Sequence, residues 1–332
     1  MAQLLVMGSG LIGRRHISAI QQSDFCHLAG VIEPDDSRHD DNTIRYFKDL
    51  DDVDVPADGV IIATPTGLHF ENAKQAASRG LHMLIEKPVT ATPDEADRLT
   101  ALLAPTNLHC LVGHHRRYHP SVQQLRQWVK DGEIGDVITS SLIWAMRKPD
   151  AYFADNWRAS DGSPVMINLI HDIDLLRFVM GEIIDITGFA SSHHRQALRV
   201  ESGAVAMRFA SGACATISFA DSALSPWGFE AGTNENPHIG ATFQDMWWLT
   251  GTSGSISFPS LTRWCGADDW SQPVKATSFD VDKTVPLDAQ LSHFVDVING
   301  KTEPMITVGD AAESLRATYQ LQALLAAQLN DA

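Results

Sequence analysis

The feature that most constrains this chain is residues 3–13, QLLVMGSGLIG, where a short apolar run breaks directly into glycines at positions 8, 10 and 13. A run of this kind suits a strand buried on both faces. At a strand-to-helix junction, Gly8 permits the tight turn, Gly10 lets backbone N–H groups approach a pyrophosphate, and Gly13 lets helix and strand pack closely. Leu11 and Ile12 then open the helix, whose unpaired N–H groups and positive dipole end face the phosphates. Glycines at this spacing are weak evidence alone and become strong when an acid ends the second strand. Glu33, in GVIEPDD, stands twenty residues past Gly13. A carboxylate there accepts hydrogen bonds from both adenosine ribose hydroxyls and repels a 2′-phosphate, which favours NAD over NADP. Arg38 is near enough in sequence to offset a 2′-phosphate if the loop folds back. His16, one turn into the helix, reads as a surface or groove-lining residue with no chemistry.

The next hundred residues keep one rhythm. Apolar runs at 3–8, 26–34, 59–65, 82–88 and 108–115 alternate with helical patterns. That alternation predicts an α/β unit with a doubly wound parallel sheet covered on both faces. From residue 119 the rhythm changes. A helix over 120–132 and a strand over 136–148 lead to an apolar helix over 163–181, followed by alternating runs at 182–194, 203–223 and 244–260. These predict a large, open, mostly antiparallel sheet. The expected organisation is therefore a domain over 1–118 and a second α/β domain over 119–332, with the last helix allowed to pack back on the first. The acidic stretch 49–58 reads as a solvated loop.

Composition excludes several classes. A net charge of −16 disfavours nucleic acid and anionic membranes as partners. The four cysteines, Cys26, Cys110, Cys214 and Cys265, lie far apart without a CxxC pair, which argues for buried apolar thiols in a reducing cytoplasm. The apolar start lacks a basic flank and a small-residue cleavage site and reads as a strand, and no apolar run is long enough to span a bilayer. No metal is expected, because the histidines of GHHRRYHP and SSHH lack partners at ligand spacing.

IEKPV (85–89) brings in reactivity. Lys87 stands where the fourth apolar run ends, beside the crevice where open α/β sheets bind ligands. Partial desolvation there lowers an amine's pKa and suits it to proton transfer. Glu86 is a candidate to pair with Lys87 or to contact the cofactor, and Pro88 fixes the backbone that follows.

GSGLIGRRH, ATPTGLH (63–69), EKP and GHHRRYHP (113–120), followed by NWRASDGSPVMINLIHDIDLLRFVMGE and QLSHFVDVINGKTEPMIT, occur in an order that resembles the Gfo/Idh/MocA oxidoreductases along essentially the whole chain. The resemblance implies a Rossmann domain, then an α/β domain whose open sheet makes a homodimer or homotetramer. It also implies hydride transfer between a nicotinamide and a hydroxyl or carbonyl carbon of a sugar, cyclitol or related cyclic alcohol. Lys87 matches the family lysine that hydrogen-bonds the reacting oxygen, and His171 the helix histidine facing the nicotinamide. Thr64, Pro65 and His69 match a segment bordering the cofactor. Ile167 stands four before His171, where the family often carries aspartate. Asn168, three before His171, falls near the same helical face and is a candidate to orient substrate or imidazole. Lys87 is then the principal acid/base and His171 its partner.

Substrate selection has several candidates. Arg117 and Tyr118 fall where the chain enters the second domain, NWR adds Trp157, and Arg158 is a candidate for cofactor phosphates. Loop 225–248 reads as a lid, with Trp227, Glu230, Asn236 and His238 to close over a polyhydroxylated ring, or as a subunit interface. The arginines leave open a dehydrogenase of an anionic ring compound. A non-catalytic NAD-binding regulator and an NAD-dependent glycosidase are the readings from other classes.

Overall fold

The computed structural model describes residues 1–39, 41–154, 157–159, 162–197, 199–236, 238–281 and 284–330, and the side chains of Trp157 and Asn330 lie outside that description. The chain divides into two compact units, Met1–Tyr118 with Val285–Arg316, and His119–Thr284 with Ala317–Ala332.

The first unit is built on β1 (Ala2–Met7), β2 (Cys26–Ile32), β3 (Tyr46–Phe47), β4 (Gly59–Ile62), β5 (His82–Ile85) and β6 (Cys110–Val112), in the order β3-β2-β1-β4-β5-β6. Every pairing is parallel. Leu4, Val6, Val31, Val60, Ile61, Leu84 and Leu111 have no exposed surface, as a sheet covered on both faces requires. Helices α1 (Leu11–Gln22), α2 (His69–Ser78) and α3 (Pro93–Leu103) make the crossovers. Thr92 and Glu95 form a capping box at α3, with proline in its first turn. β3 is a two-residue strand in a polar stretch, too short to leave a hydrophobic period in the sequence. The helix Pro286–Ile298 belongs to this unit, its Phe294 and Ile298 pressing on Gly59. Strand order reverses between β1 and β4, so the carboxyl ends of β1, β2, β4 and β5 border one crevice.

The second unit carries α4 (Pro120–Lys130), β7 (Val137–Ala145), a π-helical turn at Val165–Leu169, α5 (Ile170–Met180), β8 (Ile183–Ser191), β9 (Ser202–Phe209), β10 (Cys214–Ala220), α6 (Phe229–Thr233), β11 (Trp247–Gly251), β12 (Gly254–Phe258), β13 (Thr262–Cys265) and β14 (Lys275–Ser278). Among the described residues eight strands run β14-β13-β12-β11-β7-β10-β9-β8. Only β7 with β10 is parallel among the described pairings. Leu142, Trp144, Val205, Met207, Ile217, Phe219, Trp247 and Ile256 face the core. Across the other face, Thr187, Ala206, Thr216 and Ser141 line up in register and are exposed. Cys26 and Cys110 are buried as expected, but Cys214 is exposed because it takes an outward position on β10. No helix among the described residues is long and apolar enough to cross a membrane.

Candidate functional site

Each glycine of the opening motif has its own geometric reason. Gly8 adopts φ +89°, and a Cβ there would lie 2.8 Å from the Ala63 carbonyl oxygen. A Cβ on Gly13 would lie 2.0 Å from the Gly8 carbonyl oxygen, so only glycine lets α1 start against the loop. Gly10 differs, with nothing within 4 Å of its would-be Cβ. Gly10 also caps α1 without a side-chain hydrogen bond, and the first turn carries no acid. The turn's N–H groups therefore stay available to an outside anion. Leu11 is exposed at this turn and Ile12 half-buried. A dinucleotide pyrophosphate fits this donor set.

Glu33 leaves β2 toward the same loop. Its Oε2 accepts from the Ser9 N–H (3.0 Å) and hydroxyl (2.9 Å), and Oε1 from the Asp35 N–H (3.1 Å). Burial opposes ionisation, but these donors, with Arg38, hold the carboxyl below its ordinary range. Arg38 does fold back, 3.8 Å from Glu33 and 3.3 Å from Asp35.

Two loops follow β4 and β5. Thr64 accepts a hydrogen bond on its hydroxyl from Asn72 (2.8 Å), and Pro65 precedes the turn Thr66–Leu68. Lys87 is half-buried, and the Lys87–Pro88 bond is cis. His69 departs from its expected place beside a cofactor. It is 1% exposed, and its two ring nitrogens face the carbonyl oxygens of Pro88 (2.8 Å) and Thr64 (2.9 Å). Burial pushes its pKa below the ordinary value despite those carbonyls, so near neutral pH the ring holds one proton and donates to one of them. The ring thus sits between the two loops and hydrogen-bonds one of them.

His16 departs from expectation, and Glu86 is its partner. His16 is fully buried, and its Nε2 lies 2.8 Å from Glu86 Oε1. Glu86 also accepts the Lys87 N–H at 3.2 Å. Burial opposes its charge, but the His16 hydrogen bond and the charges of His16, His115 and Lys87 hold the carboxyl at about 2. The sequence signal for His16 was its position one turn after Gly13 on the helix face that meets the sheet.

Arg117 and Tyr118 turn inward. Arg117 is 3% exposed and forms an ion pair with Asp310 at 2.5 Å. The Tyr118 hydroxyl is buried, its ring tilted on His293, and burial pushes its pKa far up. Both contacts lie within the first unit.

In the second unit, His171 is buried in the first turn of α5. The Ile170 N–H reaches back five residues to the Val165 carbonyl, so the preceding turn is π-helical and carries an extra residue. The expectation that Asn168 shares a face with His171 assumed straight α-helical spacing, which this turn alters. Asn168 is half-buried, and its Oδ1 has no hydrogen-bond partner among the described residues. Arg158 stacks over the Tyr152 ring at 4.8 Å. Lys148 lies 5.4 and 5.1 Å from the Trp144 and Tyr152 rings, and burial pushes its pKa down to about 8. Trp227 is 39% exposed. The lid expectation fails for Glu230, which is buried in α6 and accepts from the Trp144 indole at 3.3 Å. The side chain of Trp157 is outside the described residues.

The chain matches the model of an oxidoreductase family with an NAD-binding Rossmann fold over residues 2–114, and that of the GFO/IDH/MocA C-terminal domain over 122–257. It is 33% identical over 186 residues to a UDP-N-acetylglucosamine 3-dehydrogenase of Acidithiobacillus ferrooxidans, covering 54% of this chain and 55% of that protein. It is 27% identical over 271 residues to a scyllo-inositol 2-dehydrogenase (NAD(+)) of Bacillus subtilis, covering 78% and 72%. The chain spans little more than half the length of several curated relatives it matches. The solved structure of the Acidithiobacillus ferrooxidans UDP-N-acetylglucosamine 3-dehydrogenase shares the fold, with a TM-score of 0.78, 22% identity and 98% of each chain covered.

Proposed function

The chain belongs to the GFO/IDH/MocA oxidoreductase family, and on that basis we propose that it is an NAD-dependent dehydrogenase of a sugar, cyclitol or related cyclic alcohol, with Lys87 and His171 handling the proton. The observation that carries the reading is the convergence, at the carboxyl edge of one parallel sheet, of the open Gly10 turn, the ionised Glu33 and the Lys87 loop. Gly8, Gly10, Leu11, Ile12 and Gly13 would hold the dinucleotide phosphates, Glu33 the adenosine ribose, and Thr64 and Pro65 would border the cofactor. Arg158 remains the candidate for cofactor phosphates. When bound, the nicotinamide supplies or accepts the hydride. Oxidation of a carbinol also requires its O–H proton to leave. Lys87, as a neutral amine, accepts that proton from the substrate oxygen, and His171 passes it on. In the reverse direction the same groups return it.

The names of relatives that act on an inositol and on a nucleotide sugar support a polyhydroxylated substrate. Lys148 and Arg158 support the second reading, an anionic ring compound such as a sugar acid or dihydrodiol acid. One assay separates them: nicotinamide absorbance with NAD and with NADP, over inositols, UDP-N-acetylglucosamine, free sugars, sugar acids and dihydrodiols. Turnover of a neutral polyol or sugar with NAD at least about tenfold above NADP is expected, since an anion facing the 2′-phosphate costs at least about 1.4 kcal/mol. Preference for an acid would shift the reading to the anionic class. Preference for NADP would mean that Arg38 outweighs Glu33. Tight NAD binding without absorbance change on any compound would favour a regulator or an NAD-dependent glycosidase.

Self-association through the open sheet belongs to the same reading. The row Thr187, Ala206, Thr216 and Ser141 is small-sided and exposed, as a sheet-on-sheet interface needs. Sedimentation equilibrium should give a dimer or tetramer, and Thr216→Arg should shift it toward monomer. An unchanged mass in the variant would exclude this face. The cysteines are unpaired, which supports a cytoplasmic setting.

A further inference from the structure

A buried histidine stands against the residue on either side of Lys87. His16, from the helix that opens the nucleotide loop, bonds Glu86, and His69 faces the Pro88 carbonyl. His69 is spent on backbone oxygens, whereas His16 acts on a charge. Because the Glu86 carboxylate only accepts, His16 Nε2 carries a proton and donates it to Oε1. The other nitrogen, Nδ1, is buried with no hydrogen-bond partner among the described residues. An unpartnered buried ring nitrogen is destabilising, and leucine would fill that space without it. Glu86 is equally expensive, a carboxylate 5% exposed in the core of a sheet edge. A buried charged or polar pair is commonly no more stabilising than apolar residues of similar volume. Stability alone therefore does not account for the pair.

Its geometry does. Glu86 is walled by Gly113, where a Cβ would come within 3.0 Å of Glu86 Cα and Cδ. It is bonded to His16 on one side and to the Lys87 N–H on the other. The groups that face its charge are His16 from α1, His69 from α2, His115 after β6, and Lys87 itself. Held by His16, the carboxylate stays beside the Lys87 backbone, within reach of the Lys87 charge.

We infer that His16 is a positioning residue for Lys87: by fixing Glu86 at a set distance it fixes both the course of the Lys87 loop and the electrostatic environment of its amine. This rests on the reading of Lys87 as the proton-handling group. Helix α1 thereby serves two ends, phosphates at its first turn and the amine's surroundings one turn later.

The test uses the full chain carrying H16L, H16Q, E86Q and the double variant H16L/E86L. Lysines are reductively methylated with ¹³C-formaldehyde, the Lys87 resonance is assigned with K87R, and its pKa is read by NMR titration. Kd for NADH and kcat on the active compound of the panel are measured alongside. In H16L the released carboxylate reaches the ammonium, so the Lys87 pKa should rise by about one unit. In E86Q and in the double variant it should fall by a similar amount, because a nearby anion is gone. Kd for NADH should stay within about twofold and kcat should drop at least about tenfold in H16L and the double variant. H16Q, which keeps an N–H donor, should recover most of both. An unmoved Lys87 pKa in H16L and the double variant would overturn the proposal, even if stability changed. If the double variant does not fold, the H16Q and E86Q titrations decide, and a Lys87 pKa that E86Q leaves unmoved would sink it. If the pKa moves as expected but the unmodified protein turns over nothing on the panel, the positioning stands and the dehydrogenase reading fails.

Discussion

Lys87→Met should leave NADH binding within about twofold of the unmodified chain while cutting kcat by about 10²–10⁴-fold, the range for losing one proton-transfer group. Methionine keeps an unbranched apolar stem and discards only the amine. Lys87 is half-buried and contributes no side chain to the sheet core, so the fold should survive. Lys87→Arg sharpens the test. Arginine restores the positive charge and the donors but does not lose its proton in a protein. If the amine acts only by electrostatic attraction to the substrate oxygen, arginine should rescue part of the turnover. If it accepts the proton, Lys87→Arg should be as inactive as Lys87→Met. Stopped-flow absorbance under single-turnover conditions separates chemistry from product release. Full activity in Lys87→Met, with the physiological substrate, would remove the lysine from the mechanism.

The sequence was most legible where one physical demand selects one residue type. A glycine whose Cβ would lie 2.0 Å from a carbonyl oxygen and an acid closing the second strand leave patterns that survive without coordinates. So do strands buried on both faces, which read as unbroken Val, Ile and Leu. Legibility fell where a side chain has two plausible partners. Arg117 looked like an anion binder, and only the return of residues 285–316 to the first unit supplies Asp310. His16 looked peripheral because nothing local says that a glutamate seventy residues later will meet it. The carbonyl neighbours of His69 are not legible either, since backbone oxygens leave no mark in a sequence. The π turn before α5 was invisible for a related reason: an apolar segment has no period sharp enough to reveal one extra residue. Long-range pairing and backbone irregularity, not chemistry, set the limit.

The glycine loop gives the second large effect, through two substitutions alike in chemistry and opposite in physics. Gly13→Ala would gain at most about 1 kcal/mol of helix propensity. Against this, its Cβ would sit 2.0 Å from the Gly8 carbonyl oxygen, and that atom belongs to a backbone pinned on both sides. The Gly8 N–H is bonded to the Ile32 carbonyl at 2.8 Å, and Gly8 itself presses on Ala63. Nothing flexible can yield, so the cost lies at the upper end of overpacking, about 3 kcal/mol. A net loss of about 2 kcal/mol should lower the thermal midpoint of the first unit by roughly 4–8 °C. It should also push α1 off the loop and weaken NADH binding by at least about a hundredfold. Gly10→Ala meets nothing within 4 Å, so its midpoint should not fall. Its methyl group would instead project where the donors of α1 await the pyrophosphate, and NADH affinity should fall by at least about tenfold. Differential scanning calorimetry and NADH fluorescence titration on the two variants read both quantities. Gly10→Ala binding NADH normally would mean that the phosphates do not lie against this turn. Gly13→Ala with unchanged stability would mean that the loop yields more readily than its backbone contacts imply.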